Sequence, residues 1–266
     1  MPEAVIRIGP AGSAGKGNLA GIRKVARMGL DCMEVEFTYG VRMKPQDAEA
    51  VGELAAEKGV VLSVHAPYYI NLASYEEEKL AASRQRILDS CERAHAMGAG
   101  KVVFHPGFYQ KRSAAETYGI IRGEIEALQA EIVARNWEVQ LCPETTGKPS
   151  QFGSLEEIFS LMKDTGCGIT VDFAHLYARL QGEIDWRALL DGLPRSFHAH
   201  FSGIEYGPKG EKRHLPTEEA FFEPLARQLV RRDFDITIIN ESPQPYEDAA
   251  MMKRVVQRLQ TAGGGS

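Results

Sequence analysis

The sequence predicts an α/β fold, a (β/α)8 TIM barrel, as a single domain over residues 1–260. Three observations carry this. Short apolar runs alternate with longer amphipathic stretches, the alternation expected of strand–helix units. Eight such runs occur in a chain of 266 residues, close to the ~250 that one barrel of this kind uses. Polar, metal-capable residues gather at the C-terminal ends of the runs, on the face where barrels of this architecture carry their sites.

Taken in order, the first run is Ala4–Ile8. It leads into the glycine-rich stretch Gly9–Gly17, whose spacing fits neither the dinucleotide nor the P-loop pattern, and which reads as a loop. The second run, Cys32–Phe37, precedes an amphipathic stretch at 45–59, where Pro45 suits a first helical turn and Gly59 a helix end. The third, Val60–His65, precedes a long helical pattern at 76–98, ended by Gly98. The fourth, Lys101–His105, precedes a pattern at 113–135, and the fifth is Glu138–Glu144. Ser154 and Glu157 then have the spacing of a capping box. The sixth, seventh and eighth runs are Gly168–Asp172, Ser196–Phe201 and Asp235–Glu241. Residues 261–266 read as a flexible polar tail. The competing architecture is an open doubly wound sheet.

The four cysteines, Cys32, Cys91, Cys142 and Cys167, are widely spaced. They form no disulfide framework and suit a reducing, cytoplasmic location. The N-terminal segment is too short and interrupted for a signal peptide. No apolar run approaches the roughly 18–20 residues of a membrane span. The chain is read as a monomer without membrane contact. Lys and Arg total 31 against 36 Asp and Glu, a net charge of −5, and a general nucleic-acid binder usually has the opposite surplus.

The chemistry lies at the run ends. The third ends at His65, the fourth at His105, the fifth at Glu144 and the sixth at Asp172 with His175 just beyond. The seventh contains His198 and His200, and the eighth ends at Glu241. One such residue is an ordinary polar strand end. Six strand ends converging on one mouth would place carboxylates and imidazoles together at a high desolvation and repulsion cost, which divalent cations offset. The donor set lacks Cys and suits Zn2+, with Mn2+ or Fe2+ as alternatives. Asp172 and His175, three apart, can face different ions, and Glu144 can bridge two. Hydrolysis of a phosphate ester is the chemistry that most needs two or three ions.

These residues resemble the endonuclease IV family of metal-dependent apurinic/apyrimidinic endonucleases, in an archaeal-type branch of the xylose isomerase-like barrels. The motifs are His65-Ala66-Pro67-Tyr68-Tyr69-Ile70-Asn71-Leu72, His105-Pro106-Gly107, Pro143-Glu144-Thr145-Thr146-Gly147-Lys148, Asp172-Phe173-Ala174-His175 and Asn240-Glu241-Ser242-Pro243. The resemblance runs from about the second strand to the chain's end. It implies a zinc site of two to three ions. The first ion would take His65, His105 and Glu144, the second Glu144, Asp172, His200 and Glu241, and the third His175 and His214. It implies cleavage of double-stranded DNA on the 5′ side of an abasic site by a metal-bound hydroxide, with Glu144 in the catalytic role of bridge. Tyr68, with Tyr69 beside it, would enter the gap left by the missing base. Arg42, Lys148 and Arg213 would contact phosphates.

Two departures stand out. Where the family has Asp-x-His after the seventh strand, this chain reads Glu211-Lys212-Arg213-His214. An ammonium cannot ligate, so either Glu211 turns in or the third position is weak or lost. His198 and His200 both point into the barrel; His200, nearer the mouth, is taken as the ligand and His198 as an interior residue. On the second strand Glu34 and Glu36 share a face, and Glu36 is expected to hold a ligating histidine from behind. An ion pair with Lys or Arg is its alternative. The rival function is a one-metal sugar isomerase or epimerase, with Glu144 and Glu241 moving a proton between adjacent carbons. It has no use for His65, His105 and His214. A metal-stabilised protein that binds damaged DNA without cutting it is the non-catalytic alternative. Two or three divalent ions would add about +4 to +6 at the mouth, so the acidic whole-chain charge does not exclude DNA.

Overall fold

The computed structural model describes residues 4–263. Strand β1 (Val5–Pro10) is followed by α1 (Asn18–Arg27), β2 (Cys32–Glu36), α2 (Pro45–Lys58), β3 (Val61–His65), α3 (Glu77–Met97) and β4 (Lys101–Phe104). A two-residue strand β5 (Gly107–Phe108) precedes α4 (Ala114–Ala134) and β6 (Gln140–Pro143). Next come the short β7 (Gln151–Phe152), α5 (Leu155–Thr165), β8 (Thr170–Asp172), α6 (Phe173–Arg179) and α7 (Trp186–Asp191). The chain continues with β9 (Ser196–Phe201), a hairpin of β10 (Gly203–Gly207) and β11 (Gly210–Leu215), α8 (Glu219–Leu229), β12 (Asp235–Asn240) and α9 (Pro245–Gly263).

Eight of these strands form a parallel barrel in two four-stranded halves, ordered β1-β12-β9-β8 and β2-β3-β4-β6. The halves meet at two seams, where the ladder thins to single bridges, Ala11 with Glu34 and Glu144 with Thr170. Backbone N–H groups of Gly12 and Thr145 donate across these seams to the carbonyls of Glu34 and Thr170, at 2.9 and 3.1 Å. The helices pack outside, burying Ile22, Val25, Val51, Ile87, Ile121, Ile125 and Leu225 against strand residues such as Ile8, Val64 and Ile238. The strand–helix alternation is thus the barrel its period predicts.

Local signals explain the element ends. Pro45 opens α2, and Gly59 and Gly98 take left-handed conformations at the ends of α2 and α3. Ser154 and Glu157 form the expected capping box, and Ser113 with Glu116 forms another; each cap contributes about 0.5–2 kcal/mol. One boundary differs from the expectation. α9 runs to Gly263, past the proposed start of the tail, because 245–262 remain helix-forming and the glycine run begins only at Gly263. The rest of the expected tail lies outside the described residues. Two ribbons on the loops, β5 with β7 and β10 with β11, are antiparallel additions to the mouth.

Candidate metal centre

Six barrel strands, β3, β4, β6, β8, β9 and β12, bring a side chain at or just past their C-terminal ends to the same mouth. Strands β3 and β4 bring His65 and His105 to Glu144, which follows β6. His65 Nε2 lies 3.3 Å and His105 Nε2 2.8 Å from Glu144 Oε2. The other oxygen of Glu144 faces His200 Nδ1 at 3.0 Å and His175 Nδ1 at 3.5 Å. His200 Nδ1 is also 3.4 Å from Glu241 Oε1. Asp172 ends β8 and caps α6, its Oδ1 accepting the His175 N–H at 2.7 Å. Its Oδ2 is buried and accepts no hydrogen bond, with His175 Nδ1 3.4 Å away.

Five groups of donor atoms are each compact enough for one ion, and three of them overlap one another: His65, His105 and Glu144; Glu144, Asp172, His200 and Glu241; and Asp172, His175 and His214; the other two share Glu34, with His198 and His200 and with Glu36 and Glu241. Glu144 belongs to two groups and Asp172 to two. Glu144, Asp172 and His200 are fully buried, whereas the side chains of His105, His214 and Glu241 stay 25, 23 and 13 % exposed. The floor is therefore dry and the rim open to a cavity of about 500 Å3. His65 and His175 donate Nδ1–H to the backbone carbonyls of Ala66 and Thr145, at 2.7 and 3.0 Å. That fixes their tautomers and turns Nε2 inward with a free lone pair.

The electrostatics describe a site built for cations. Burial penalises charge on Glu144, but the surrounding imidazoles, His105 and His200 foremost, hold its carboxyl well below the usual range. Burial likewise opposes charge on His65, yet the Glu144 hydrogen bond and the Glu36 carboxylate push it up to about 10. His175 and His200 are raised by the same logic, through Asp172 and Glu241 respectively. Glu36, desolvated and near Glu34 and Glu241, is pushed up to about 8. Without cations these groups share protons; with cations each imidazole is a neutral ligand and each carboxylate a charged one. The buried carboxylate oxygens Asp172 Oδ2 and Glu36 Oε1, which accept no hydrogen bond, fit the same reading. The all-N/O donor set is right for Zn2+, Mn2+ or Fe2+.

The sequence expectations and the structure differ at two places, and the structure decides a third. The carboxylate touching the ligand histidine from behind is Glu34, not Glu36. Glu34 Oε1 lies 2.9 Å from His200 Nε2, while Oε2 accepts from Ser63 Oγ at 2.7 Å and lies 2.9 Å from His198 Nε2. Glu34 sits one layer deeper, where the inward His198 and His200 rings reach it; Glu36 Oε1 has no partner. Arg213 is turned away from the mouth, its Nε 2.6 Å from Glu205 Oε2, because it lies on the outer face of the β10–β11 hairpin. Glu211, left open by the sequence, faces inward, with Oε2 3.5 Å from His175 Nε2.

Of the other expected contact residues, Tyr68 is 52 % exposed beside His65 and His105. Tyr69 is exposed and pairs with Tyr39. Lys148 lines the cavity, and Arg42 is exposed on the loop after β2. The fifth loop is held by Arg179, whose Nη1 donates to the carbonyls of Lys148 and Gln151 at 2.8 and 3.1 Å; no motif pointed to that residue.

The fold and the site thus define a barrel with a multi-histidine, multi-carboxylate mouth. Residues 22–262 match the xylose isomerase-like TIM barrel family, and the chain belongs to that family. It is 37% identical over 247 residues to an uncharacterized protein of Methanocaldococcus jannaschii, covering 88% of this chain and 89% of that one. A probable endonuclease 4 of Halorhodospira halophila is 30% identical over 190 residues, 67% of this chain and 62% of its own length. Among solved structures, endonuclease IV from Thermus thermophilus superposes with a TM-score of 0.74 at 22% identity, covering 96% of this chain and 99% of that one. A D-tagatose 3-epimerase-like protein superposes with 0.72 at 20% identity, covering 97 and 98%. At these identities the two structures share the fold with this chain. No helix among the described residues is long and apolar enough to cross a membrane.

Proposed function

We propose that this protein is a metal-dependent DNA repair endonuclease that hydrolyses the phosphodiester 5′ to an abasic site. The observation that carries the reading is the sharing of Glu144 and Asp172 among three adjacent ligand groups. A one-ion site leaves His65, His105, His175 and His214 without purpose, whereas phosphodiester hydrolysis uses several ions. When bound, the ions supply positive charge that polarises a phosphoryl group and lowers the pKa of water. Zn2+ is the first candidate and Mn2+ or Fe2+ the alternatives, held by His65, His105, Glu144, Asp172, His175, His200, His214 and Glu241.

The chain's own residues do the rest. The buried floor excludes water from the ligands, and the fixed tautomers of His65 and His175 pre-orient two of them. Glu144 spans two groups with its two oxygens and sets their spacing. Tyr68 stands at the rim within reach of a gap in a base stack, and Lys148 offers a cation to a flanking phosphate. Few basic side chains face the mouth, so binding is expected to depend more on metal than on salt.

The test is incision of a duplex bearing one tetrahydrofuran abasic analogue. Cutting on its 5′ side that stops with chelator and returns with metal is expected. No incision at any metal loading would refute the reading. The epimerase alternative is favoured by one observation, that Glu144, Asp172, His200 and Glu241 alone form a four-donor set. A purified chain holding a single ion and acting on a ketose would establish it instead.

A further inference from the structure

The helix that carries His175 also grips the loop that follows Glu144. His175 and Arg179 are four residues apart on α6, so they share a face one turn apart. That face meets the fifth loop, residues 145–153. His175 gives its Nδ1–H to Thr145 O, and Arg179 takes the oxygens beyond it. Its Nη1 lies 2.8 Å from Lys148 O, 3.1 Å from Gln151 O, 3.2 Å from Thr146 Oγ1 and 3.4 Å from Thr146 O. Four oxygens converging on one nitrogen repel one another unless that nitrogen belongs to a cation rich in donors.

The loop inside this cage is a tight turn. Gln151 N–H donates to Lys148 O, and Thr146 N–H donates to Gly153 O, both at 2.9 Å. Those bonds close the turn but do not fix its attitude to the barrel. Arg179 does, because it holds the carbonyls at both ends of the turn from a helix anchored in the site. The Lys148 side chain is thereby left lining the mouth cavity. The β10–β11 hairpin holds the same turn through Gly147 O, which accepts the Glu211 N–H at 3.0 Å. Tyr109 brings in the fourth loop. Its hydroxyl donates to Glu157 Oε1 at 2.8 Å and lies 3.5 Å from Arg179 Nη2. Glu157 Oε2 in turn accepts the N–H groups of Gly153 and Ser154 at 3.0 and 2.9 Å.

We infer that Arg179 is a positioning residue: through the carbonyls of Thr146, Lys148 and Gln151 it sets the fifth loop so that Lys148 faces the mouth, in place for a flanking phosphate. A lysine at 179 would supply the charge but not the planar fork. The part given to Lys148 rests on the endonuclease reading above; the grip on the loop does not.

The test compares Arg179→Ala, Arg179→Lys, Lys148→Ala and the Arg179→Ala/Lys148→Ala double variant, each as the metal-loaded full chain with its melting checked. Arg179→Ala should speed amide exchange at Thr146 and Gln151 roughly tenfold, the size of one lost hydrogen bond to a charged group. Millimolar guanidinium should slow it again, and the same concentration of urea should not. Arg179→Lys should fall between, and it carries the comparison if the alanine variant does not fold. In a gel-shift titration with abasic duplex, Arg179→Ala should bind as weakly as Lys148→Ala, and the double variant no more weakly than either. Wild-type exchange at Thr146 and Gln151 in the folded Arg179 variants would overturn the grip. Additive losses in the double variant would overturn its action through Lys148. A wild-type chain without affinity for the duplex at any metal loading would overturn the endonuclease reading instead, and the exchange rates would still decide the grip.

Discussion

Glu34→Gln isolates the control of one ligand by the carboxylate beneath it. Glu34 is fully buried and can only accept, so its Oε1, 2.9 Å from His200 Nε2, favours a proton on Nε2. That leaves Nδ1, which faces Glu144 and Glu241, free to ligate. In the glutamine variant the carbonyl takes the place of Oε2, where it keeps Ser63 and His198, and the amide NH2 faces His200. A donor there pushes the imidazole proton onto Nδ1, the atom required for the ion. Loss of such a supporting carboxylate lowers metal affinity by roughly 10–100-fold, about 1.4–2.7 kcal/mol. The assay is competition with a chromophoric chelator at near-neutral pH, with melting of the chelated variant as a check on folding. A folded variant with unchanged affinity for every ion would refute the tautomer argument.

Other perturbations test the rest. Glu144→Ala removes the carboxylate shared by two ligand groups and should abolish abasic-site incision and lower metal content; unchanged cutting would remove Glu144 from the mechanism. Tyr68→Ala should weaken binding to abasic duplex in a gel-shift titration while leaving metal content intact, and equal affinity would make it a packing residue. The chelated protein should lose thermal stability as pH rises from about 6.5 to 9. The folded-state pKa of His65, about 10, lies above its unfolded value, so its contribution is complete below about 6.5 and lost on the way to 10. Glu36, pushed up to about 8 mainly by burial, acts in the same direction, its cost growing as pH rises toward 8 and levelling off above it. A chelated protein whose Tm climbs across that window would contradict both.

The barrel was legible because its signals are local. Apolar runs, Pro45, the Ser154–Glu157 box and the helix-ending glycines each act within a few residues. The candidate donors were legible because position in a barrel maps onto position in a strand, so the convergence of His65, His105, Glu144, Asp172 and Glu241 could be read from where runs end. Glu34 was only half visible. The alternation that put it on the face of Glu36 said nothing of depth, and depth decides that Glu34, not Glu36, meets His200. The hairpin was less legible still. A bulge is a pairing event between β10 and β11, and the string Glu-Lys-Arg-His carries no mark of which residue will be left out. Strict alternation places Lys212 inward, and the register places it outward with Arg213. Arg179 could not be found from motifs at all, because its partners are backbone carbonyls.

The two seams of the barrel give the centre a mechanical meaning. Glu34, His65, His105 and Glu144 come from one half, and Asp172, His200 and Glu241 from the other. The thin bridges, at Glu34 and at Glu144, fall beside these same carboxylates. An ion held by Glu144, Asp172, His200 and Glu241 would tie together two half-barrels whose hydrogen bonding is sparsest at that join. Loading would then tighten the backbone as well as the mouth. Amide exchange along Ala11–Gly12 and Glu144–Thr145 should slow on metal binding far more than exchange inside either four-stranded half, so that the cation acts as a clasp on the closed sheet.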